Sequence, residues 1–176
     1  MNCKCDLNSM LQGKVTFLQP AVLAFVRATG PYQASSDTAW RSIRDWLNTT
    51  GHVVVGNVAY GMALDDPRAT SAETLRYDAC VIKPPTLTSG DLDVVQLKEF
   101  EGGAYLLVRH VGRQKDIGSV VSEARDLIMQ REGLYWDSTR SLVTMTYSFP
   151  PNEEDQICDI CIPVIPDRRT MTRLPH

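Results

Sequence analysis

The sequence contains no long hydrophobic run. None of its apolar stretches reaches the roughly 18–20 residues that a membrane-spanning helix requires. The segment from Met1 to Asp6 also lacks the apolar core of a secretory signal. These two absences predict a protein that has no membrane partner and lies in the cytoplasm.

The chain also lacks an excess of positive charge. Its 18 Lys and Arg residues against 21 Asp and Glu residues give a net charge of -3. Because binding to phosphates needs a basic surface, the composition argues against direct contact with nucleic acid. The length of 176 residues, with 43% hydrophobic and 22% charged residues, is typical of one folded domain, expected to cover residues 1–176.

The five cysteines do not have the pattern of a disulfide framework. Cys158 and Cys161 have the Cys-x-x-Cys spacing of redox and zinc sites. They lie in a segment patterned as a strand, however, where side chains three apart point to opposite faces. The sequence therefore favours structural thiols, and it predicts no metal site and no cofactor.

What the chain does contain is an internal repeat. Residues 23–30 read Leu-Ala-Phe-Val-Arg-Ala-Thr-Gly, and residues 105–112 read Tyr-Leu-Leu-Val-Arg-His-Val-Gly. Residues 78–81, Asp-Ala-Cys-Val, are matched by residues 159–162, Asp-Ile-Cys-Ile. Such a repeat predicts two similar halves, and the seam between them is a natural place for a ligand cleft.

Each half, at about 15–84 and about 93–165, combines paired strands with one amphipathic segment. Runs of paired strands with one helix in each half indicate the α+β class, with two main helices and a largely antiparallel sheet. Helices on one side of this sheet would leave its opposite face, near the pseudo-twofold axis, available as a concave site. The predicted elements are a strand over 14–29 bent at Pro20, a helix from 36 to 49, strands over 58–64, 75–83, 94–100 and 104–111, a helix over 116–132, and strands over 143–149 and 157–165.

Several runs of residues carry a resemblance to a known family. They are Asp65-Asp66-Pro67, the run Leu75-Arg76-Tyr77-Asp78-Ala79-Cys80-Val81, the run Phe100-Glu101-Gly102-Gly103-Ala104-Tyr105 with Val108-Arg109-His110 after it, and Asp159-Ile160-Cys161-Ile162-Pro163-Val164. In this order they resemble the GyrI-like family, which includes the effector-binding domain of AraC-type regulators. The resemblance runs from about Val15 to Val164.

The resemblance implies tandem β-α-β-β modules with a ligand cleft between them. Members bind small, often aromatic or cationic molecules; some are fused to helix-turn-helix segments, some inhibit DNA gyrase, and some hydrolyse strained cyclopropane toxins. We expect a stand-alone protein that binds a small apolar or aromatic molecule and has no DNA-binding domain of its own. The alternatives are a protein partner, as in gyrase inhibition or partner sequestration, and hydrolysis.

One position departs from the family pattern. The family carries a glutamate two residues before a tyrosine in its penultimate strand, and here Tyr147 is preceded at that place by Met145. The glutamate is the family's counter-charge for cations and its catalytic acid or base, whereas a thioether does not ionise. No catalytic residue is predicted, and Glu99 and Glu101 are the alternative sources of a carboxylate.

The predicted ligand-binding residues are aromatic or soft side chains on the repeated strands and at the ends of the cleft: Phe25, Trp40, Tyr60, Tyr105, Trp136, Met145 and Tyr147. The repeat predicts that Tyr60 and Tyr147 are equivalent. Two phenols and the thioether of Met145 would then line the cleft. The alternative is that these side chains pack as ordinary core, as strand aromatics usually do.

Overall fold

The computed structural model describes residues 14–130, 133–147 and 156–166. The elements in chain order are β1 (Lys14–Leu18), β2 (Ala21–Thr29), α1 (Tyr32–Thr50), β3 (Ala59–Ala63), β4 (Arg76–Ile82), β5 (Gln96–Phe100), β6 (Gly103–Gly112), α2 (Ile117–Gln130), β7 (Leu134–Trp136), β8 (Leu142–Thr146) and β9 (Gln156–Pro166). The predicted ends of α2 at 132 and of β8 at 149 lie outside the described residues.

The strands form one curled antiparallel sheet in the order β1-β6-β9-β8-β3-β4-β2-β5, and β7 pairs with β9. The curl brings distant strands of this order together: the rings of Phe100 in β5 and Tyr105 in β6 lie 6.2 Å apart. The predicted α+β class, with two helices and a largely antiparallel sheet, is confirmed.

The predicted single strand over 14–29 is wrong, because it is two strands that pair in different places. The chain is interrupted at Gln19 and Pro20, and proline has no N–H to donate to a sheet ladder. β1 pairs with β6 of the second half, whereas β5 pairs with β2 of the first. Each half thus supplies an edge strand to the other.

The two halves pair their strands in matching registers. Arg27 lies opposite Asp78 in the β2–β4 pair, and Arg109 lies opposite Asp159 in the β6–β9 pair. The repeated sequences therefore occupy corresponding places in the sheet, one on each side of the central β3–β8 contact.

The same registers correct one predicted equivalence. Tyr60 lies opposite Cys80 in the β3–β4 pair, and the residue opposite Cys161 in the β8–β9 pair is Val143. Tyr60 therefore corresponds to Val143 and not to Tyr147.

Both helices pack on one face of the sheet, which we call the helix face. The apolar stripe of α1, including Ile43 and Trp46, packs with Ala79 and Val81, and that of α2 packs against a second cluster that contains Cys158. Gly51 ends α1 in the left-handed conformation, with φ of 73°, which glycine adopts without steric cost.

The opposite face of the sheet, which we call the inner face, holds a third apolar cluster. Its buried members are Leu23, Phe25, Met62, Cys80, Tyr105, Val143 and Cys161. Cys158 lies on the helix face and Cys161 on the inner face, as the strand pattern predicts, and both are free thiols.

Over the described parts of the chain, neither helix is long and apolar enough to cross a membrane.

Candidate ligand-binding site

A cavity of about 580 Å³ lies on the helix face between α1 and α2, above the central strands β3 and β8. We call it the interhelical cavity. Its volume is in the range of small-molecule sites. Gly61 and Ala63 contribute almost no side-chain volume beneath it, which leaves room between the two helices.

The wall residues come from both halves. The first half supplies Tyr32, Gln33, Ser36, Asp37, Gly61, Ala63, Leu64, Asp65, Asp66, Pro67 and Tyr77, and the second supplies Arg113, Lys115, Ile117, Gly118, Val121, Arg125, Trp136, Ser138, Arg140, Ser141, Leu142 and Thr144. The cavity thus lies at the seam between the halves, but on the helix face. The concave site expected on the opposite face stays a prediction.

The floor of the cavity is polar and uncharged. The Tyr77 hydroxyl accepts a hydrogen bond from Trp40 Nε1 at 3.1 Å, and Thr144 Oγ1 donates to the Gly61 carbonyl at 3.3 Å. Burial raises the pKa of Tyr77, which keeps the phenol neutral. A Cβ at Gly61 would overlap the Tyr77 hydroxyl and lie 2.5 Å from Thr144 Oγ1, so this arrangement requires glycine.

Tyr32 and Asp65 join α1 to the loop after β3. The Tyr32 hydroxyl donates to the Asp65 carbonyl at 2.6 Å, and the Asp65 N–H donates back to that hydroxyl at 2.9 Å. Burial raises the pKa of Tyr32 to about 12. Hydrogen bonds from the Arg76 guanidinium, one at 2.7 Å, lower the pKa of the Asp65 carboxyl.

Asp66 links the same loop to α2. Its carboxylate accepts from Arg68 at 2.8 Å and 3.1 Å, and it lies 3.5 Å from Arg125 Nη1. The hydrogen bonds from Arg68 and the nearby positive charges hold its pKa well below the usual range.

The opposite wall carries an arginine stacked on an aromatic ring and an arginine that makes four hydrogen bonds. The Arg125 guanidinium lies 4.1 Å from the centroid of the Trp136 ring. Arg140 donates to Asp137 Oδ2 at 2.7 Å and also to the carbonyls of Gly102, Ala104 and Val164. Burial opposes the charge of Asp137, but hydrogen bonds from Thr139 and Arg140 outweigh it and lower its pKa.

Charge is divided between the halves. The acidic wall residues, Asp37, Asp65 and Asp66, come from the first half, and the basic ones, Arg113, Lys115, Arg125 and Arg140, come from the second. The two walls therefore carry charged side chains of opposite sign.

Among the predicted site residues, Trp136 lines the cavity, where it forms part of β7 rather than a loop. Trp40 lies beneath the floor, buried in the core under α1 and bonded to Tyr77. The structure does not bring these two together with the other five.

The remaining five predicted residues lie on the inner face: Phe25, Tyr60, Tyr105, Met145 and Tyr147. Phe25 and Tyr105 are core residues, 6% and 1% exposed, and Tyr60 packs against the Phe100 ring. Tyr147 is 40% exposed, and its hydroxyl donates to Asp159. Glu99 and Glu101 are both exposed, and neither lines the interhelical cavity.

Apart from Trp136, sequence reasoning missed the residues that line the cavity, among them Tyr32, Tyr77 and Arg125. One signal was available, because Ala59, Gly61 and Ala63 are small residues at alternate positions of one strand. Small residues at these positions predict close packing on that face, which is confirmed at Gly61 against the Tyr77 hydroxyl, and Gly61 and Ala63 also border the open space. Arg125 gives no comparable signal, since a polar residue on an amphipathic helix is ordinarily solvated.

The three cysteines within the described residues are not arranged for nucleophilic chemistry. Burial raises the pKa values of Cys80 and Cys158 each to about 12, and it raises that of Cys161 as well, so all three are neutral thiols at pH 7. No cluster of His, Cys, Asp or Glu suited to a metal ion occurs within the described ranges.

Comparison with known proteins shows the family of the chain. Residues 14–165 match the GyrI-like small molecule binding domain. The probable transcriptional regulator YgiV of Escherichia coli K12 is 34% identical over 77 residues, which are 43% of this chain and 48% of YgiV. The chain thus matches about half the length of this curated relative.

Solved structures share the fold at low sequence identity. The C-terminal domain of EcmrR has a TM-score of 0.66 at 10% identity, covering 88% of this chain and 98% of that domain. SAV2435, solved with bound tetraphenylphosphonium, has a TM-score of 0.56 at 12% identity, covering 87% and 93% of the two chains.

Proposed function

We propose that this chain, which belongs to the GyrI-like small molecule binding domain family, binds a mainly apolar or aromatic molecule in the interhelical cavity. The observation that carries the proposal is an open space of about 580 Å³ with aromatic walls and a neutral hydrogen-bonding floor. Tyr32 and Trp136 offer large contact area on opposite walls, and Tyr77 and Thr144 offer hydroxyls that orient a ligand.

Binding would be tested by isothermal titration calorimetry with a panel of planar aromatic compounds. Val121→Trp fills the cavity from α2, and we expect it to weaken binding by roughly tenfold or more. Tyr60→Ala, on the inner face, is the matched control and should change affinity less than about twofold. The opposite ranking would place the ligand on the inner face, and no binding across the panel would contradict the proposal.

The similarity to YgiV supports a regulatory use of this binding. In this proposal, binding of the ligand changes the interaction of this chain with another macromolecule. A protein partner is the second candidate, and one observation favours it. Val111 and Ile157 lie opposite each other on the inner face and are 54% and 49% exposed.

Inhibition of DNA gyrase, one form of this second candidate, can be assayed directly. If the exposed pair contacts gyrase, the protein should inhibit DNA supercoiling, and Val111→Lys should relieve the inhibition because it places a charge in an apolar contact. Supercoiling that proceeds normally with a molar excess of the folded protein would remove this candidate.

A further inference from the structure

Arg125 is held in a fixed orientation at the wall of the interhelical cavity. Its guanidinium stacks on the Trp136 ring at 4.1 Å, and its side chain is only 18% exposed. Stacking on an aromatic face restrains the plane of a guanidinium without using any of its N–H donors. The group is therefore both oriented and largely shielded from water.

The donors of Arg125 are poorly used. A guanidinium has five N–H donors, and the acceptor that Arg125 reaches among the described residues is Asp66 Oδ2, at 3.5 Å. That distance is at the limit of a hydrogen bond. Asp66 is also bound more closely by Arg68, at 2.8 Å. Arg125 thus keeps most of its donors available to a molecule in the interhelical cavity.

The other charges of the cavity are largely paired. Asp65 is neutralised by Arg76 at 2.7 Å, and Arg140 is neutralised by Asp137 at 2.7 Å. Arg113 has a looser pairing with Asp116, at 3.3 Å.

Asp37, Lys115 and Arg125 remain outside these closer pairs. Asp37 lies on the α1 wall, and Lys115 and Arg125 lie on the opposite wall. The wall that carries Arg125 is therefore suited to an anion.

From these contacts we infer that the ligand is a planar aromatic carboxylate and that Arg125 binds its carboxylate through paired N–H donors. This inference rests on the proposed function and names its ligand class. A carboxylate matches the fork of a guanidinium in a bidentate geometry, which the long contact to Asp66 does not provide. The aromatic body would lie against Trp136 and Tyr32, and Lys115 adds positive charge on the same side.

Three probes of one shape and different charge test the inference: 2-naphthoate, 2-naphthamide and 2-naphthylmethylammonium. We expect the native protein to bind 2-naphthoate roughly tenfold or more tightly than the other two in calorimetry at pH 7. This ranking needs no variant, so it does not depend on the folding of a mutant. Tetraphenylphosphonium serves as a bulky cationic comparison.

Substitutions then assign the preference to one side chain. Arg125→Gln should remove the tenfold advantage of the carboxylate and leave 2-naphthamide within about twofold, whereas Arg125→Lys should restore only part of it, because an ammonium lacks the fork. Arg41→Gln, at an exposed position of α1, makes the same change of charge outside the cavity and should leave the ranking intact.

The outcomes separate this inference from the proposed function. If 2-naphthylmethylammonium or tetraphenylphosphonium binds in the cavity more tightly than 2-naphthoate, the ligand class is overturned while the binding function stands. A carboxylate preference that survives in Arg125→Gln overturns the role of Arg125. Failure of all four compounds to bind counts against both proposals.

Discussion

The two halves carry the same Arg–Asp pair on the inner face but bury it to different depths. In the first half, the Asp78 side chain is 0% exposed and accepts from Arg27 at 2.7 Å and 2.9 Å. Lys98 Nζ, supplied by the edge strand of the second half, lies 2.8 Å from the same carboxylate. Three hydrogen bonds from two cations compensate the buried charge.

In the second half the arginine of the corresponding pair is more open to solvent than Arg27, whose side chain is 41% exposed, although Asp159 itself is buried, with 8% of its side chain exposed. We call Arg109 and Asp159 the open pair. Arg109 is bonded to Asp159, but the Arg109 side chain is 58% exposed, and the further donor to Asp159 is the neutral hydroxyl of Tyr147. The repeat therefore preserves the Arg–Asp pair across the two strands. The third partner of the aspartate and the burial of the pair differ between the halves. Burial decides how much the pair contributes, because solvent screens exposed charges.

The halves also differ at the cavity floor, where Gly61 and Thr144 are directly paired across β3 and β8. The registers make these two residues equivalent. Tyr77 extends over Gly61, while Cys158 occupies the place equivalent to Tyr77 on the other side. The first half therefore supplies the Tyr77 phenol to the floor, and the second half supplies the Thr144 hydroxyl and the basic wall.

The largest expected effect separates the two buried carboxylates. Asp78→Asn should lower the free energy of unfolding by about 3 kcal/mol, because it leaves Arg27 and Lys98 without an anion. Asp159→Asn should cost about 1 kcal/mol, since Arg109 is hydrated. Urea denaturation at pH 7 measures both, and equal losses would show that burial does not set the contribution of these pairs.

Elements with a local sequence pattern were predicted, and elements that depend on distant pairing were not. The alternation in β8 and the helical spacing in α2 are local patterns, and both predict their elements well. The exchange of β1 and β5 depends on which distant strand each of them pairs with. A local sequence pattern does not contain that information. β7 was missed because three residues are too few to show a period.

The candidate site was the harder prediction. Aromatic residues on a strand face indicate a large apolar surface, whether it borders a ligand or a core. Tyr60 and Met145 proved to face away from the helices, since register decides which alternate residues face the interhelical cavity. Whether the five inner-face residues bind anything stays a prediction.

The second effect concerns the glycine at the centre of the floor. Gly61→Ala should destabilise the protein by about 2 kcal/mol, because its Cβ would displace the Tyr77 hydroxyl from Trp40 and Thr144. The same substitution should weaken ligand binding, measured by calorimetry alongside thermal or urea unfolding.

Gly118→Ala is the control for this substitution. No atom lies within 4 Å of its added Cβ, and alanine favours the helix, so stability should rise by roughly 0.5 kcal/mol. If both variants behave alike, the close packing over Gly61 is not what the floor depends on.

The third effect is the pH dependence of the stabilisation by Asp65, which lies on the cavity wall formed by the first half. Bonding to Arg76 lowers the folded-state pKa of Asp65 below its unfolded value of about 3.9. The stabilisation is therefore present above that pH and is lost as the pH falls through the folded pKa. We expect Asp65→Asn to cost at most about 1 kcal/mol at pH 7, since Arg76 is 49% exposed, and less at pH 3.

Urea unfolding of the native protein and the variant between pH 7 and pH 3 measures this difference. Asp45→Asn, at an exposed position of α1, is the control and should give a pH profile parallel to that of the native protein. A deficit in Asp65→Asn that stays constant over the whole range would contradict an ionic origin.

The smallest expected effect tests the third partner of the open pair. Tyr147→Phe removes the hydroxyl that bonds Asp159 and should cost about 0.5 kcal/mol, because Tyr147 is 40% exposed and Arg109 still pairs with the carboxylate. Lys98→Met, its counterpart in the buried pair, should cost more, since Asp78 then retains one cation in place of two.

Alkaline pH separates a real hydrogen bond from an incidental contact at Tyr147. Burial, the bond to Asp159 and the negative charge of that carboxylate raise the pKa of the phenol. A phenol whose folded-state pKa exceeds the unfolded value of about 10 contributes stability that is complete below pH 10 and is lost as the pH rises further. The native protein should therefore lose stability above pH 10 more steeply than Tyr147→Phe. If the two proteins lose stability identically above pH 10, Arg109 alone holds Asp159 and the Tyr147 hydroxyl does not contribute.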